Sequence, residues 1–314
     1  MSAQTNIEWC DSTFNPWIGC ARVSPACDDC YAARSTPVRT LGLAWGPGTE
    51  RRRTSAENWK QPLRWNAAAA EFQATHGRRR RVFCASLADV FDNEVDRAWR
   101  ADLFDLIRMT PALDWLLLTK RVGNAWKLMA DACGVSQASL KLPLPNVWLG
   151  ATVVTQAEAD RDIPKLLNTP AAKRFLSVEP MLGPISFEGL FANTHRINDG
   201  TNALETLDWV ICGGESGPKA RPMHPDWARS LRDQCAAAGV PFLFKQWGEW
   251  APGRQHAKRD LGTWMTPSGR LEAWAGGLPR DRSEVSTLIY CVGKKVAGRL
   301  LDGRTHDEFP ESTR

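Results

Sequence analysis

The sequence predicts an α/β fold: a (β/α) barrel, complete or partial. Three observations predict it. Apolar runs of about four or five residues recur with helical segments between them, the pattern of parallel strands buried on both faces and joined by crossover helices. Six such runs each end in polar or special residues: Ser86 and Asp89, Thr119 and Lys120, Thr152, Glu179, Glu215 and Gln246. No Gly-x-Gly-x-x-Gly follows the first run, which argues against a doubly wound dinucleotide-binding sheet. Barrels carry their chemistry at the C-terminal strand ends, so these residues predict a polar cavity at one mouth.

The elements follow in order. A strand is expected over 82–86, with an amphipathic helix near 95–109. Leu116, Leu117 and Leu118 centre a second strand (115–118), followed by a helix near 124–132. Strands at 147–151 and 175–178 flank a helix near 157–167. A strand at 209–212 ends in Gly213-Gly214-Glu215-Ser216-Gly217, followed by a helix near 225–238. The sixth strand, 242–244, ends at Lys245-Gln246-Trp247. Residues 1–250 are expected to form the barrel domain, with an Arg-, Pro- and Gly-rich insertion at about 35–80. Residues 251–314 hold turns and short strands, such as 262–266, and are expected to form a cap or edge extension.

Composition bounds the class. At 314 residues and 43% hydrophobic the chain can bury a sizeable core. No apolar run approaches membrane-spanning length, so no membrane partner is expected. Nine cysteines without an apolar leader predict a reducing, cytoplasmic setting. The net charge of +5 is concentrated in runs, Arg51-Arg52-Arg53 and the four arginines at 78–81, which are either solvated surface or phosphate-attracting groups. Tryptophan is abundant, 15 against 2 tyrosines; most are expected in the core, and a few beside arginines to stack bases.

Near the N-terminus Cys20, Cys27 and Cys30 form a C-x6-C-x2-C loop, and Tyr31-Ala32-Ala33-Arg34 reads as the loop running into a helix. Four thiolates close a metal's coordination sphere, whereas three leave one position open. A [4Fe–4S] cluster with one free iron is the sharpest reading. Zinc with Cys10 or Asp11 as fourth ligand, or three plain thiols, stand as alternatives; a disulfide would strand the third cysteine.

A cysteine loop feeding a parallel barrel resembles the radical S-adenosylmethionine (SAM) superfamily. Asn15-Pro16-Trp17-Ile18-Gly19-Cys20 with Cys27-Asp28-Asp29-Cys30-Tyr31-Ala32 resembles its spore photoproduct lyase-like branch. The chain also resembles, nearly end to end, a phage-associated three-cysteine-motif family of unassigned function. That likeness rests on Thr5-Asn6-Ile7-Glu8-Trp9, Ser177-Val178-Glu179-Pro180, Gly213-Gly214-Glu215-Ser216-Gly217, Lys245-Gln246-Trp247-Gly248 and Leu301-Asp302-Gly303-Arg304. The common superfamily spacing is C-x3-C-x2-C, and the longer first loop here departs from it.

The resemblance implies that the three thiolates hold three irons and that SAM chelates the fourth. An electron from an external donor cleaves SAM to a 5′-deoxyadenosyl radical, which abstracts hydrogen from the substrate. It places Ser86 and Asp89 against SAM, and Glu179, Gly213, Gly214 and Glu215 at its amino group or ribose. The glycines are equally explained by a tight turn, and each glutamate by an Arg or Lys partner. The branch also has a cysteine that returns hydrogen to the substrate radical. Cys84 matches it, and strand alternation would put Cys84 and Ser86 on one face; a buried small hydrophobe is the plainer account of that cysteine.

A nucleic-acid base or nucleotide is the expected substrate. Lys120, Arg121, Lys245 and the arginines at 78–81 would form a phosphate rim, and Trp247 or Trp250 would stack a base. A non-enzymatic zinc- or cluster-bearing nucleic-acid-binding protein is the alternative, as is a radical SAM enzyme acting on a small metabolite or peptide.

Overall fold

Val82, Leu116, Trp148, Leu176, Ile211 and Leu243 are all at most 0% exposed, and each sits in a strand of a single sheet. The computed structural model describes residues 5–137, 139, 145–191, 200–253, 262–274, 277–280 and 282–311. Two strands precede the cysteines, β1 (Ser12–Phe14) and β2 (Trp17–Ile18), and β3 (Arg52–Arg53) pairs with β2. Then come β4 (Arg80–Cys84), β5 (Leu113–Thr119), β6 (Val147–Thr152), β7 (Lys173–Val178), β8 (Trp209–Gly213) and β9 (Phe242–Gln246). The hydrogen-bonded order β1-β4-β5-β6-β7-β8-β9 is sequential over seven strands, and the ladders β1–β4, β4–β5, β5–β6 and β8–β9 are parallel. This is an α/β fold with the strand order of a partial (β/α) barrel.

The crossover helices lie where the periodicity predicts them. Four short helices fill the segment after the cysteines: α1 (Thr36–Thr40), α2 (Ala56–Trp59), α3 (Gln61–Ala67) and α4 (Ala69–His76). The longer ones follow: α5 (Arg97–Met109), α6 (Val122–Ala132), α7 (Gln156–Asn168) and α8 (Pro225–Ala238). α5 starts where the Asp96 carboxylate accepts from Ala98 N–H at 2.7 Å, and it buries Leu103, Phe104, Leu106 and Ile107. α8 has Pro225 in its first turn and ends at Gly239 in the left-handed conformation.

The chain divides into two compact units. One holds the residues up to Thr152 with Pro164–Phe175; the other holds Val153–Ile163 and Leu176–Pro310. In the first, β1 supplies a sheet strand that the periodicity does not reveal. It lies parallel to β4, with Phe14 opposite Cys84, and the Phe14 ring meets Trp115 and Trp59 edge-on. In the second, β10 (Trp250–Pro252), β11 (Gly262–Met265), β12 (Leu271–Ala273) and β13 (Thr287–Cys291) make a four-stranded antiparallel sheet in the order β10-β13-β11-β12. A last short helix, α9 (Lys294–Ala297), follows. Among the described residues no helix is long and apolar enough to cross a membrane.

The arginines at 78–81 do not join a rim with Lys120. They enter β4 at its N-terminal end, whereas Lys120 follows the C-terminal end of the parallel strand β5. Arg78 donates twice to Asp11, at 2.7 and 2.8 Å, and Arg79 reaches the buried Asp114 at 3.1 Å. Arg80 covers the Phe72 ring at 4.2 Å. Arg81 is 4% exposed; burial pulls its pKa down to about 10. The run serves the fold.

His224 is buried and caps α8, with Nδ1 accepting from Asp226 N–H at 3.1 Å. Only the neutral ring offers that lone pair. Burial lowers the His224 pKa below its usual 6.5, so below pH 6.5 the unfolded chain binds the proton first and stability falls with pH. One such proton costs at most about 1.4 kcal/mol per pH unit. Urea melts at pH 7.5 and 5.5 check this. The wild-type midpoint should drop more than that of His224→Asn, whose amide caps without titrating; equal drops would contradict it.

Candidate functional site: the cysteine loop and the strand ends

β4 stops at Cys84 because Ala85 takes a left-handed conformation, φ 69°. Strand alternation ends there, so the expectation that Cys84 and Ser86 share a strand face fails. Cys84 is 0% exposed, and burial pushes its thiol well above the usual range. Ser86 lies in the turn beyond. Asn15, just after β1 and 1% exposed, bridges to that turn. Its Nδ2 donates to Ser86 Oγ at 2.9 Å, and its Oδ1 accepts from Leu87 N–H at 2.7 Å. Gly19 N–H then donates to Leu87 C=O at 3.1 Å, and Gly19 bridges to Ala88 as a parallel strand would. The segment leading into Cys20 is thereby fixed to the end of β4.

The cysteine loop is built from tight turns. Ser24 caps a 3-10 turn at Pro25–Cys27, Cys27 N–H donates to Ser24 C=O at 2.9 Å, and Cys30 N–H to Cys27 C=O at 3.4 Å. Tyr31 ties the loop back, its hydroxyl donating to Ser86 C=O at 2.8 Å. A second 3-10 turn, Ala32–Arg34, and α1 follow, which is the helical continuation expected after the last cysteine. Cys20, Cys27 and Cys30 are all free thiols of intermediate exposure, whereas Cys10 is buried.

Asp89 sits at the centre of this end of the sheet. One carboxylate oxygen accepts from Phe91 N–H (2.9 Å) and Thr119 Oγ1 (2.7 Å); the other accepts from Lys120 N–H (3.1 Å) and Arg121 Nη1 (3.2 Å). Arg121 also donates from Nη1 to Cys20 Sγ at 3.3 Å and from Nη2 to Ala21 C=O at 2.7 Å. Burial pushes the Cys20 thiol up to about 11; Asp89 adds to this, and Arg121 opposes it. Burial works against the Arg121 charge, but Asp89, Cys20 and Asp92 outweigh it and hold the guanidinium cationic. A second ion cluster stands on the same loop: Arg51, side chain 2% exposed, binds Asp92 at 2.9 Å and Glu94 at 2.7 Å. Arg100 donates to Val90 C=O and Asp92 C=O, fixing the same loop.

Two expectations change here. Arg121 does not point a free guanidinium at a phosphate: its side chain is 9% exposed and engaged by Asp89, Cys20 and Ala21. Asp89 has both oxygens taken by the chain itself. Lys120, directly after β5, is of intermediate exposure. Asn15, Tyr31, Arg51 and Asp92 are organising residues that reasoning from strand ends passed over. Asn15 lies in a quoted motif, but nothing in the spacing says that its amide joins β1 to β4.

The second unit gathers the remaining candidates. Glu179, after β7, accepts from Lys245 Nζ at 2.5 Å through Oε2, and its buried Oε1 has no hydrogen-bond partner among the described residues. Glu215 is consumed by Arg221, which donates from its backbone and Nε at 2.8 Å and from Nη2 at 2.6 Å. Gly213 faces Glu179: a Cβ there would lie 3.4 Å from Glu179 Cγ. Gly214 is a point of backbone contact, where a Cβ would stand 1.9 Å from Trp247 C=O; one on Gly248 would stand 2.0 Å from Glu215 C=O. These glycines are explained by packing. Trp247 is 4% exposed, packs on Phe244 and donates to Leu300 C=O at 2.8 Å, so its ring has no free face for a base. Trp250 donates to Ala220 C=O at 2.7 Å.

Among the described residues, no three His, Cys, Asp or Glu side chains stand together as a metal-holding group. The fit to a cluster is therefore one of donor chemistry: three partly exposed thiols on one loop, with no disulfide between them.

Residues 4–310 match the model of a family described as a protein of unknown function, DUF5131, and the chain belongs to that family. No curated protein matches the chain, and no solved structure does.

The Asn15 bridge and the Gly214 contact make opposite demands on a variant. Asn15→Ala removes partners from two groups in a buried setting and should cost about 1–3 kcal/mol. Gly214→Ala forces backbone apart and should cost at least as much, on the order of 1–3 kcal/mol or more. Denaturant melts measure both. A wild-type midpoint for either variant would contradict its assigned contact.

Proposed function

We propose that the protein is a radical SAM enzyme, with Cys20, Cys27 and Cys30 holding three irons of a [4Fe–4S] cluster and the fourth iron left for SAM. The observation that carries this reading is the position of Cys20, which Arg121 holds, together with Ala21 C=O, against the C-terminal ends of β4 and β5. That end of a parallel α/β sheet is where such folds do their chemistry. A cluster and SAM bound there would supply one-electron reductive cleavage of SAM, with the electron drawn from an external donor.

The chain's own residues contribute position. Asn15 and Tyr31 hold the Ser86 turn on which the loop rests. Asp89 fixes the ends of β4 and β5 relative to one another through Thr119 and Lys120. Cys27 and Cys30 sit on successive turns of one short segment, where Cys30 N–H donates to Cys27 C=O. We carry Ser86 forward as a neighbour of SAM on the resemblance.

The substrate class we propose is a nucleic-acid base or nucleotide. It is supported by the net charge of +5 and by Lys120 at the rim, with Lys245 as a further candidate. With Trp247 buried and the arginines at 78–81 paired elsewhere, base stacking has to come from other residues.

Anaerobic purification with iron and sulfide analysis tests the assignment. A brown protein with about four irons per chain is expected. Replacing Cys20, Cys27 or Cys30 by Ala should each lose most of the iron, and Cys10→Ala little. Full iron in Cys27→Ala would contradict the ligand set; a colourless zinc protein would favour the non-enzymatic binding protein.

A further inference from the structure

We infer that Arg121 is a positioning residue for Cys20: a fixed cation, held by Asp89, that anchors this one sulfur at the strand ends and favours the reduced form of the metal centre assembled on it. The inference rests on the reading of the cysteine loop as a cluster site and adds to it a residue that tunes that site.

The geometry distinguishes the three thiols. Cys20 Sγ receives Nη1 of Arg121 at 3.3 Å, and the same guanidinium holds the next carbonyl, Ala21 C=O, at 2.7 Å. The sulfur and the backbone beside it are thus gripped by one rigid, planar group. Arg121 is itself positioned from behind: Asp89 accepts from it at 3.2 Å, and Asp92 stands 4.0 Å from its Nε. Its backbone N–H donates to Thr119 Oγ1 at 2.8 Å, at the end of β5. Cys27 and Cys30 have no side-chain hydrogen bond of this kind among the described residues. Cys20 is therefore the member of the set that a side chain of the strand ends fixes.

A lysine cannot do the same. Its ammonium is a point charge, whereas the guanidinium fork reaches sulfur, carboxylate and carbonyl together. The electrical consequence follows from burial. Three thiolates make an anionic centre, and reduction adds negative charge. An N–H···S bond from a cation with a side chain only 9% exposed opposes that build-up in a medium that screens little. Hydrogen bonds to sulfur and local charge are among the terms that set cluster potentials.

The test uses the full chain, reconstituted anaerobically with iron and sulfide. Two quantities are read: the midpoint potential from a redox titration followed by electron paramagnetic resonance, and the rate of iron release to a ferrous chelator. Arg121→Gln should move the midpoint to a more negative value and release iron on the order of tenfold faster, the scale on which groups behind a metal's ligands act. Arg121→Lys should keep the midpoint nearer to wild type, because the charge remains, yet release iron faster, because the grip on Ala21 is gone. A wild-type midpoint in a folded Arg121→Gln chain overturns the inference and leaves the cluster reading standing. If Arg121→Gln does not fold, Arg121→Lys decides: faster release at unchanged circular dichroism supports the inference, and wild-type release overturns it. A wild-type chain that takes up no iron overturns both.

Discussion

Asp89 is the constraint on which the C-terminal strand ends of the first unit depend. Its two oxygens accept from Phe91, Thr119, Lys120 and Arg121, so one buried carboxylate fixes the turn after β4, the end of β5 and a guanidinium. That guanidinium fixes the cysteine loop. A buried carboxylate with unused valences would be costly; four donors satisfy this one. Asn15 does the same work from the other side, joining β1 to the Ser86 turn. The loop's three thiols thus hang from a rigid base, although the loop itself is a chain of short turns.

The second unit reaches rigidity by backbone contact. Gly214 N–H donates to Gln246 C=O, and Glu249 N–H to Glu215 C=O, each at 2.9 Å. The Gly-Gly-Glu and Gln-Trp-Gly-Glu segments lie so close that neither Gly214 nor Gly248 has room for a Cβ. Glu215 and Arg221 close the turn, while Trp247 plugs its underside. Of the polar groups gathered here, Glu179 and Lys245 form the pair whose role packing does not exhaust: Glu179 Oε1 is buried with no partner among the described residues.

How much of this was legible depends on the length of the signal. The strands β4 to β9 are read from their apolar runs because both faces of each are buried, and α8 is read to the residue because Pro225 and Gly239 mark its ends. β1 escapes because Ser12-Thr13-Phe14 is too short to show a period. Charge is the harder reading. The arginines at 78–81 look like a nucleic-acid patch, yet Asp11 and Asp114 lie far from them in sequence and adjacent in space. Arg121 fails as a phosphate ligand for the same reason. Ala85 defeats the alternation rule because a left-handed alanine leaves no mark in the sequence.

The three thiols of the cysteine loop are the donors of the proposed cluster, and the residues around them hold the loop in place. Anaerobic incubation of the reconstituted chain with SAM and a low-potential reductant tests this most directly, with 5′-deoxyadenosine measured by chromatography. The account predicts that the nucleoside forms with the wild-type chain and falls to the reductant-only background with Cys27→Ala. A chain that carries a full cluster yet forms no 5′-deoxyadenosine above that background would contradict it.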